Sequence, residues 1–285
     1  MGKRLDFMLF PGGKNRAMTF SYDDGVVQDR RLVELFNRYH VKGTFNLNTA
    51  TLGIQAEANF GGKHMDISKV SPEEVATLYE GHEVGGHSLC HSSLPNIGTS
   101  LAMHELVEDR ISLEKLSGKM VRFFAYPFGT YNEDVKQLVR MAGYMGARTV
   151  VSTHTFEIPQ DFMEWHATCH HNDPQLMELA KQFCEGRVFP GSLFYLWGHA
   201  YEFDGDNNWN IIEEFVKYVS QFSQEIWFAG NTEIADYVTA FRQRVYSPGG
   251  SKIYNPTATE LWLLVGQKTY NIPAGATIEV EDPGL

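Results

Sequence analysis

The sequence has 285 residues, of which 43% are hydrophobic and 21% charged, a composition typical of a globular protein with a sizeable core. Its formal net charge is -11 and no basic run occurs, which argues against nucleic acid and anionic membrane as partners. No apolar run reaches the length of a membrane span or of an export signal, and the odd number of cysteines indicates free thiols. We therefore expect a cytoplasmic protein.

Strand and helix patterns then alternate along most of the chain, which is typical of βα units and a parallel sheet. Apolar runs predict strands at 18–22, 44–47, 83–87, 121–126, 146–151, 192–197 and 226–228. Helical spacing predicts helices at 28–40, 71–79, 100–116, 132–142, 174–185, 207–222 and 232–242. Three segments are predicted to be loops: 1–17, 50–68 and 154–174. Short alternating runs after residue 246 predict a small β appendage, so that residues 1–246 and 247–285 form two domains.

The first chemical motif follows the strand at 18–22, where Asp23 and Asp24 stand side by side before Gly25. Catalytic groups of parallel α/β proteins collect at the carboxyl ends of strands. Two adjacent carboxylates repel each other unless their roles are separated, and a metal ion separates them by binding one and leaving the other free as a base. Alone, however, Asp-Asp-Gly is also ordinary turn chemistry.

Three histidines also follow predicted strands. His87 and His91 are separated by three residues, a spacing that brings both imidazoles to one face of a helical turn. Together with Asp24 they would form a three-ligand zinc site with open positions for water, although two surface histidines at a helix start are an equally simple interpretation. His199 ends an apolar strand, where a titratable group has little structural purpose.

A fourth strand is followed by the sequence Tyr-Pro-Phe-Gly at 126–129, a tight turn that can direct a backbone N–H towards a reacting carbonyl or simply connect strand and helix. Aromatic residues near these strand ends could pack on the face of a sugar ring. The candidates for substrate binding are Trp197, Tyr126, Trp165 and Tyr201.

Taken together, the four motifs resemble the NodB-type polysaccharide deacetylases, the fourth family of carbohydrate esterases, over about residues 17–245. The resemblance implies a distorted (β/α) barrel of about seven strands and a hydrolase that acts on carbon–nitrogen bonds other than peptide bonds. It also implies a divalent metal, usually zinc, with cobalt, manganese or nickel as substitutes. The implied roles are general base for Asp23, metal ligands for Asp24, His87 and His91, general acid for His199, and oxyanion donor for the backbone N–H of Tyr126.

The sequence departs from the family pattern in three places. The phenylalanine that usually precedes the two aspartates is Tyr22, a mild change. The arginine that usually tethers the base is replaced by Ala125, and Arg148 on the next strand is the predicted substitute. The Asp-Trp motif that tunes the acid histidine has its nearest match in Glu164 and Trp165. The polar cluster at 166–173 that follows could form a wall of the substrate site, a second metal site or an ordinary polar loop.

The predicted function is removal of an acetyl group from an N- or O-acetylated sugar or polysaccharide. A hydrolase of another carbon–nitrogen bond, such as a cyclic amide, is the first alternative. A carbohydrate-binding relative without activity is a second, but binding alone requires neither Asp23 nor His199. A structural α/β protein would need four coincidences at strand ends.

Overall fold

The structure is a computed structural model that describes residues 6–60 and 62–281. Its strands are β1 (Asp6–Leu9), β2 (Arg16–Asp23), β3 (Gly43–Leu47), β4 (Glu57–Phe60), β5 (Lys63–Asp66), β6 (Glu83–Gly86), β7 (Phe123–Ala125), β8 (Gly146–Ser152), β9 (Trp165–Ala167), β10 (Cys169–His170), β11 (Ser192–Gly198), β12 (Ile226–Phe228), β13 (Val245–Tyr246), β14 (Lys252–Tyr254), β15 (Leu261–Val265), β16 (Lys268–Ile272) and β17 (Thr277–Glu279). Its helices are α1 (Asp29–Arg38), α2 (Val75–Leu78), α3 (Thr99–Ser117), α4 (Glu133–Met141), α5 (Leu176–Glu185), α6 (Tyr201–Gly205), α7 (Trp209–Val219) and α8 (Asn231–Arg242). Among the described residues, no helix is both long and apolar enough to cross a membrane.

The central sheet is a nearly closed parallel barrel with strand order β10-β11-β2-β3-β6-β7-β8-β9. β12 pairs with the first half of β2, and β3 pairs with the second half. The sheet's first and last strands in this order, β10 and β9, are separated in sequence only by Thr168, whose N–H donates to the Tyr195 carbonyl at 2.8 Å. The predicted distorted (β/α) barrel is therefore confirmed.

The alternation of side chains along β2 positions the first motif. Met18, Phe20 and Tyr22 face the surrounding helices, where the Phe20 ring lies 4.8 Å from that of Phe36 in α1. Because successive side chains of a strand point to opposite faces, the last residue of β2, Asp23, faces the barrel interior. The alternation of side chains along β2 therefore directs the Asp23 carboxylate into the barrel at its open end.

All three predicted loops contain strands. The loop predicted at 1–17 includes β1, the one at 50–68 includes the β4–β5 hairpin, and the one at 154–174 includes β9 and β10. β1 pairs with β15, where Asp6 lies opposite Val265, so its strand character depends on a partner more than 250 residues away in sequence. The helix predicted at 71–79 is also shorter than expected, because a 3₁₀ turn at Pro72–Glu74 leaves only α2.

The C-terminal strands form two small antiparallel sheets, β1-β15-β16 and β13-β14-β17. Their apolar side chains belong to the same core cluster as the barrel interior and α8. The Tyr237 hydroxyl of α8 donates to the Leu9 carbonyl and accepts from the Trp262 N–H at 3.0 Å. The division at residue 247 stays a prediction, and the core is continuous across it.

Candidate metal and catalytic site

Asp23 is a buried carboxylate, and each of its two oxygens accepts a hydrogen bond. Its Oδ1 accepts from Asn46 Nδ2 at 2.8 Å, and its Oδ2 accepts from Arg148 Nη2. Burial alone would raise the pKa of Asp23, but the Arg148 guanidinium and the imidazoles of His87 and His199 lower it to about 2. Asp23 is therefore an oriented carboxylate at neutral pH.

Arg148 occupies the place that the sequence predicted for a substitute tether. β7 and β8 are paired so that Ala125 lies opposite Arg148, which brings both side chains to the same level and the same face of the sheet. The guanidinium is fully buried, and it lies 4.4 Å from the centre of the Trp197 ring as well as against Asp23. Compared with the family pattern, the arginine is therefore on the neighbouring strand, β8, at the same level along the barrel axis.

Asp24, His87 and His91 converge beside Asp23, as the sequence predicted. Asp24 Oδ1 lies 3.7 Å from His91 Nε2 and 4.0 Å from His87 Nε2, and the three ligand atoms all lie within 4.8 Å of one another. Burial lowers the pKa of His87 to about 4 and also lowers that of His91, which keeps both imidazoles neutral. Neutral imidazole is the form that ligates a metal.

The hydrogen bond on the far side of His87 determines which nitrogen faces Asp24. Its Nδ1 lies 2.7 Å from the Ala125 carbonyl, which can only accept, so Nδ1 carries the proton and Nε2 keeps a lone pair. That Nε2 is buried and has no hydrogen-bond partner. Donor atoms of a tetrahedral zinc site lie about 3.3 Å apart, so a small contraction of this group would fit zinc.

The His87–His91 segment is a turn and not the helical turn that the spacing predicted. Ser88 and His91 adopt the left-handed conformation, with φ of 62° and 57°. Two acidic side chains of α3 fix this turn: Glu105 accepts from the Cys90 N–H at 2.9 Å, and Asp109 accepts from the His87 N–H at 3.2 Å. Left-handed non-glycine residues cost energy and cluster at functional sites, and Asp24, with φ of 81°, is another.

His199 lies across the cavity from the metal-ligand group, and Glu202 orients it. The Nδ1 of His199 lies 3.2 Å from Glu202 Oε1, and its Nε2 lies 3.9 Å from Asp23 Oδ2. Burial alone would lower the pKa of His199, but the Glu202 hydrogen bond, with Asp24 and Asp23, raises it to about 9. His199 is therefore protonated at neutral pH. Sequence reasoning missed Glu202, although His-x-x-Glu at the start of a helix places two side chains within reach.

Glu202 also contacts two histidines of the polar cluster at 166–173. His170 Nε2 and His171 Nε2 lie 3.1 and 2.8 Å from its Oε2. His170, His199 and Glu202 could form a second ligand group by distance alone. However, His170 Nδ1 accepts the Asn172 N–H at 3.2 Å, so in the neutral ring Nε2 carries the proton and cannot ligate. The geometry favours a hydrogen-bonding cluster over a second metal site.

Two predictions for Glu164 and Trp165 are wrong. Glu164 accepts from Tyr131 at 2.8 Å and Lys136 at 3.0 Å, so it does not tune His199. Trp165 is 1% exposed and packs edge-on against Phe123, Phe162 and Tyr195 in the core. The closure of the barrel buries this tryptophan, so it cannot form a wall for a sugar.

The prediction that the Tyr126 N–H is the oxyanion donor is also wrong, because this N–H donates to the Arg148 carbonyl at 3.1 Å. The Tyr126 ring is buried and its hydroxyl donates to the Met163 carbonyl at 2.9 Å, and the predicted role of Tyr126 in substrate binding stays a prediction. Two residues later, Phe128 has a φ of 58° and a ring that is 63% exposed. Within the described residues, no hydrogen bond occupies the Phe128 N–H.

The two aspartates of the first motif and the three histidines at strand ends, Asp23, Asp24, His87, His91 and His199, line one cavity of about 600 Å³. Its aromatic lining consists of Phe128 and the three predicted residues Tyr126, Trp197 and Tyr201. Its remaining lining includes Ile67 and Lys69. A groove of about 820 Å³ lies elsewhere, beside the start of β11, but neither ligand group of the described residues borders it. The smaller cavity is therefore the candidate active site.

A parallel barrel that brings a carboxylate, a possible metal-ligand group and an imidazole to one open end has the groups that metal-assisted hydrolysis can use. The profile of the polysaccharide deacetylase family matches residues 11–147. This part of the chain is therefore similar to that family, which confirms the resemblance drawn from the motifs. No curated protein is similar to the chain in sequence.

Solved structures of the same fold include a protein from Mycobacterium smegmatis that has been assigned to the polysaccharide deacetylases, with 17% identity, 83% of this chain and 94% of that chain covered, and a TM-score of 0.59. The peptidoglycan deacetylase PdaC from Bacillus subtilis has 16% identity, coverage of 82% and 96%, and a TM-score of 0.51. A CE4 family pseudoenzyme from Bacillus anthracis has 17% identity, coverage of 81% and 68%, and a TM-score of 0.50. At these identities the likeness concerns the fold, and activity must be argued from the site.

Proposed function

We propose that this protein is a divalent-metal-dependent deacetylase that hydrolyses the acetyl group of an N- or O-acetylated sugar. The observation that carries the proposal is the convergence on one cavity of a ligand group made of one carboxylate and two neutral imidazoles, a separate carboxylate and a protonated imidazole. Asp24, His87 and His91 would hold the metal, and zinc suits this set of one oxygen and two imidazole nitrogens. A bound divalent ion would supply Lewis acidity to the acetyl carbonyl and to the attacking water.

Asp23 is the general base in this proposal. It remains ionised, because Arg148 keeps its pKa low, and its orientation is fixed through both oxygens. It takes the proton of the attacking water as the new carbon–oxygen bond forms. A low pKa weakens a base, so the main contribution of Asp23 is its fixed position beside the ligand group.

Two further groups of the cavity would stabilise the negative charge on the acetyl oxygen and protonate the leaving group. The oxygen of the acetyl group gains negative charge, and the Phe128 N–H is the backbone donor proposed to stabilise it. His199 gives a proton to the departing nitrogen or oxygen through Nε2, since Nδ1 is directed to Glu202. The products are acetate and a sugar with a free amine or hydroxyl.

We expect Glu202→Gln to lower kcat about tenfold or more, because a residue that orients a catalytic imidazole is worth that much. A carboxamide offers one acceptor oxygen to three imidazoles, and it removes a negative charge that raises the pKa of His199. The alkaline limb of the pH–rate profile should therefore move to lower pH, since the protonated acid is lost sooner as pH rises. An unchanged profile with a lower rate would instead indicate a structural role, and Glu202→Asp should restore part of the rate.

The proposal is tested by measuring metal content and acetate release on the same purified protein. Substrates are N-acetylglucosamine oligomers, acetylated xylan and, for the alternative reaction, small cyclic amides. Removal of the metal with a chelator should abolish acetate release, and zinc should restore it. His87→Ala should lose both metal and activity, whereas His104→Ala, an exposed histidine of α3, should lose neither. Acetate release at full rate by the metal-free protein, or opening of cyclic amides alone, would contradict the proposal.

A further inference from the structure

A lysine on the cavity wall has a single anionic neighbour. Lys69 Nζ lies 3.8 Å from Asp24 Oδ1, and within the described residues no other carboxylate lies within ion-pair distance of it. The separation is too long for a hydrogen bond, and the Lys69 side chain is only 13% exposed. A largely buried ammonium with three donors therefore faces the cavity without a close acceptor.

The remaining charges of the cavity are already paired. The Asp23 carboxylate contacts the Arg148 guanidinium, and the His199 ring lies 3.2 Å from the Glu202 carboxylate. If a divalent cation binds Asp24 as the proposed function requires, Lys69 loses its one counter-charge. The loaded cavity then has a net positive charge although the whole chain carries -11. A positive cleft in an acidic protein attracts anions and is poorly matched to a neutral ligand.

Lys69 directly follows the segment at 50–68 that the sequence predicted to be a loop. The β4–β5 hairpin leads into it, and the main chain at Lys69 bridges Val26 in the loop after Asp24. The Lys69 N–H donates to the Ile54 carbonyl at 2.9 Å, which fixes the backbone beside the ligand group. The position of the ammonium is thus a feature of the hairpin segment and is independent of the four motifs.

We infer that Lys69 binds a carboxylate of the substrate, so that the enzyme acts on an acetylated acidic sugar. The inference rests on the proposed function and specifies its substrate class. The short distance from Lys69 Nζ to Asp24 requires the carboxylate to be on the acetylated sugar ring or on a substituent of that ring. The cavity's aromatic walls, Phe128, Trp197 and Tyr201, contact the ring itself.

The test uses pairs of ligands that differ only in charge. N-acetylmuramic acid and an N-acetylhexosaminuronic acid, as methyl glycosides, are each compared with the corresponding carboxamide. Two readouts are taken on the zinc-loaded protein: kcat/KM for acetate release, and calorimetric binding of the deacetylated products, which cannot turn over. Zinc affinity is measured separately by competition with a chelator.

The variants are Lys69→Met, Lys69→Arg and a matched control, Lys63→Met. Lys63 lies in the hairpin that precedes Lys69, and its ammonium pairs with Asp206.

The protein should prefer one of the acids over its carboxamide about tenfold in both readouts, the value of one charged hydrogen bond. Lys69→Met should remove the preference without weakening carboxamide binding or zinc binding, while Lys69→Arg and Lys63→Met should keep the preference. Equal binding of acid and amide, equal loss for both in Lys69→Met, or loss of zinc in that variant would each overturn the inference. Turnover of neutral sugars without acid binding would refute only the inference, whereas acid binding without acetate release would refute only the proposed function.

Discussion

Asp23→Asn should lower kcat by a factor of about 10² to 10⁴, the usual contribution of a positioned general base, while the protein retains its metal. The asparagine keeps an oxygen in the same place but cannot take a proton from water. The ligand group is made by Asp24, His87 and His91, so it is not altered directly. Acetate release under saturating substrate and metal content per chain are the two measurements.

Asp24→Asn is the matched control, because it makes the same chemical change at the neighbouring residue. It should lose the metal, since a neutral amide replaces the anionic ligand. The two variants therefore separate the roles of adjacent carboxylates. Loss of metal in Asp23→Asn, with retention in Asp24→Asn, would reverse the assignment of base and ligand.

Asp23→Asn has a second expected effect, on stability. The variant leaves the fully buried Arg148 guanidinium without an anionic partner, which costs about 3 kcal/mol in comparable buried pairs. Thermal unfolding must therefore accompany the kinetic measurement, and rates should be compared at a temperature where the variant is folded. If the rate falls by more than the unfolded fraction of the variant can explain, the additional loss is an effect on catalysis.

The parts of this site that could be predicted from sequence are those that depend on a short local segment of the chain. Asp23, Asp24 and His199 each follow an apolar strand, and the barrel brings such strand ends to one opening. The displacement of the tether to Arg148 could also be predicted, because Ala125 and Arg148 lie on strands that are consecutive in the predicted parallel sheet. In each case, a local pattern and a parallel sheet are sufficient.

The parts that could not be predicted depend on contacts distant in sequence or on unusual backbone conformations. Trp165 is aromatic in a polar segment, and only the closure of the barrel shows that it belongs to the core. The strand pairing of β1 depends on β15 at the other end of the chain. The left-handed φ of Phe128 decides which N–H of the turn is free, and no residue type other than glycine signals such a conformation reliably.

We expect Arg148→Ala to be among the most damaging single changes in the protein. Among the described residues, it leaves Asn46 as the hydrogen-bond partner of the buried Asp23 carboxylate, and removing one member of a buried pair costs about 3–5 kcal/mol. The same change raises the pKa of Asp23, because burial is then poorly opposed. The rate should fall about 10²-fold as the base loses its fixed position. Arg148→Lys should not restore it, because an ammonium cannot both contact the carboxylate and stack flat on Trp197.

The informative control returns the arginine to the neighbouring strand. In the double variant Ala125→Arg with Arg148→Ala, the guanidinium starts from the position directly opposite its original one, on the same face of the sheet. The backbone carbonyl of Ala125 that orients His87 is retained by any residue at this position. If the tether matters for its charge and its height in the barrel, the double variant should recover both melting temperature and kcat above those of Arg148→Ala. Recovery of stability without recovery of rate would contradict this expectation, because it would show that charge and height are not sufficient and that the rate depends on the strand from which Arg148 reaches Asp23.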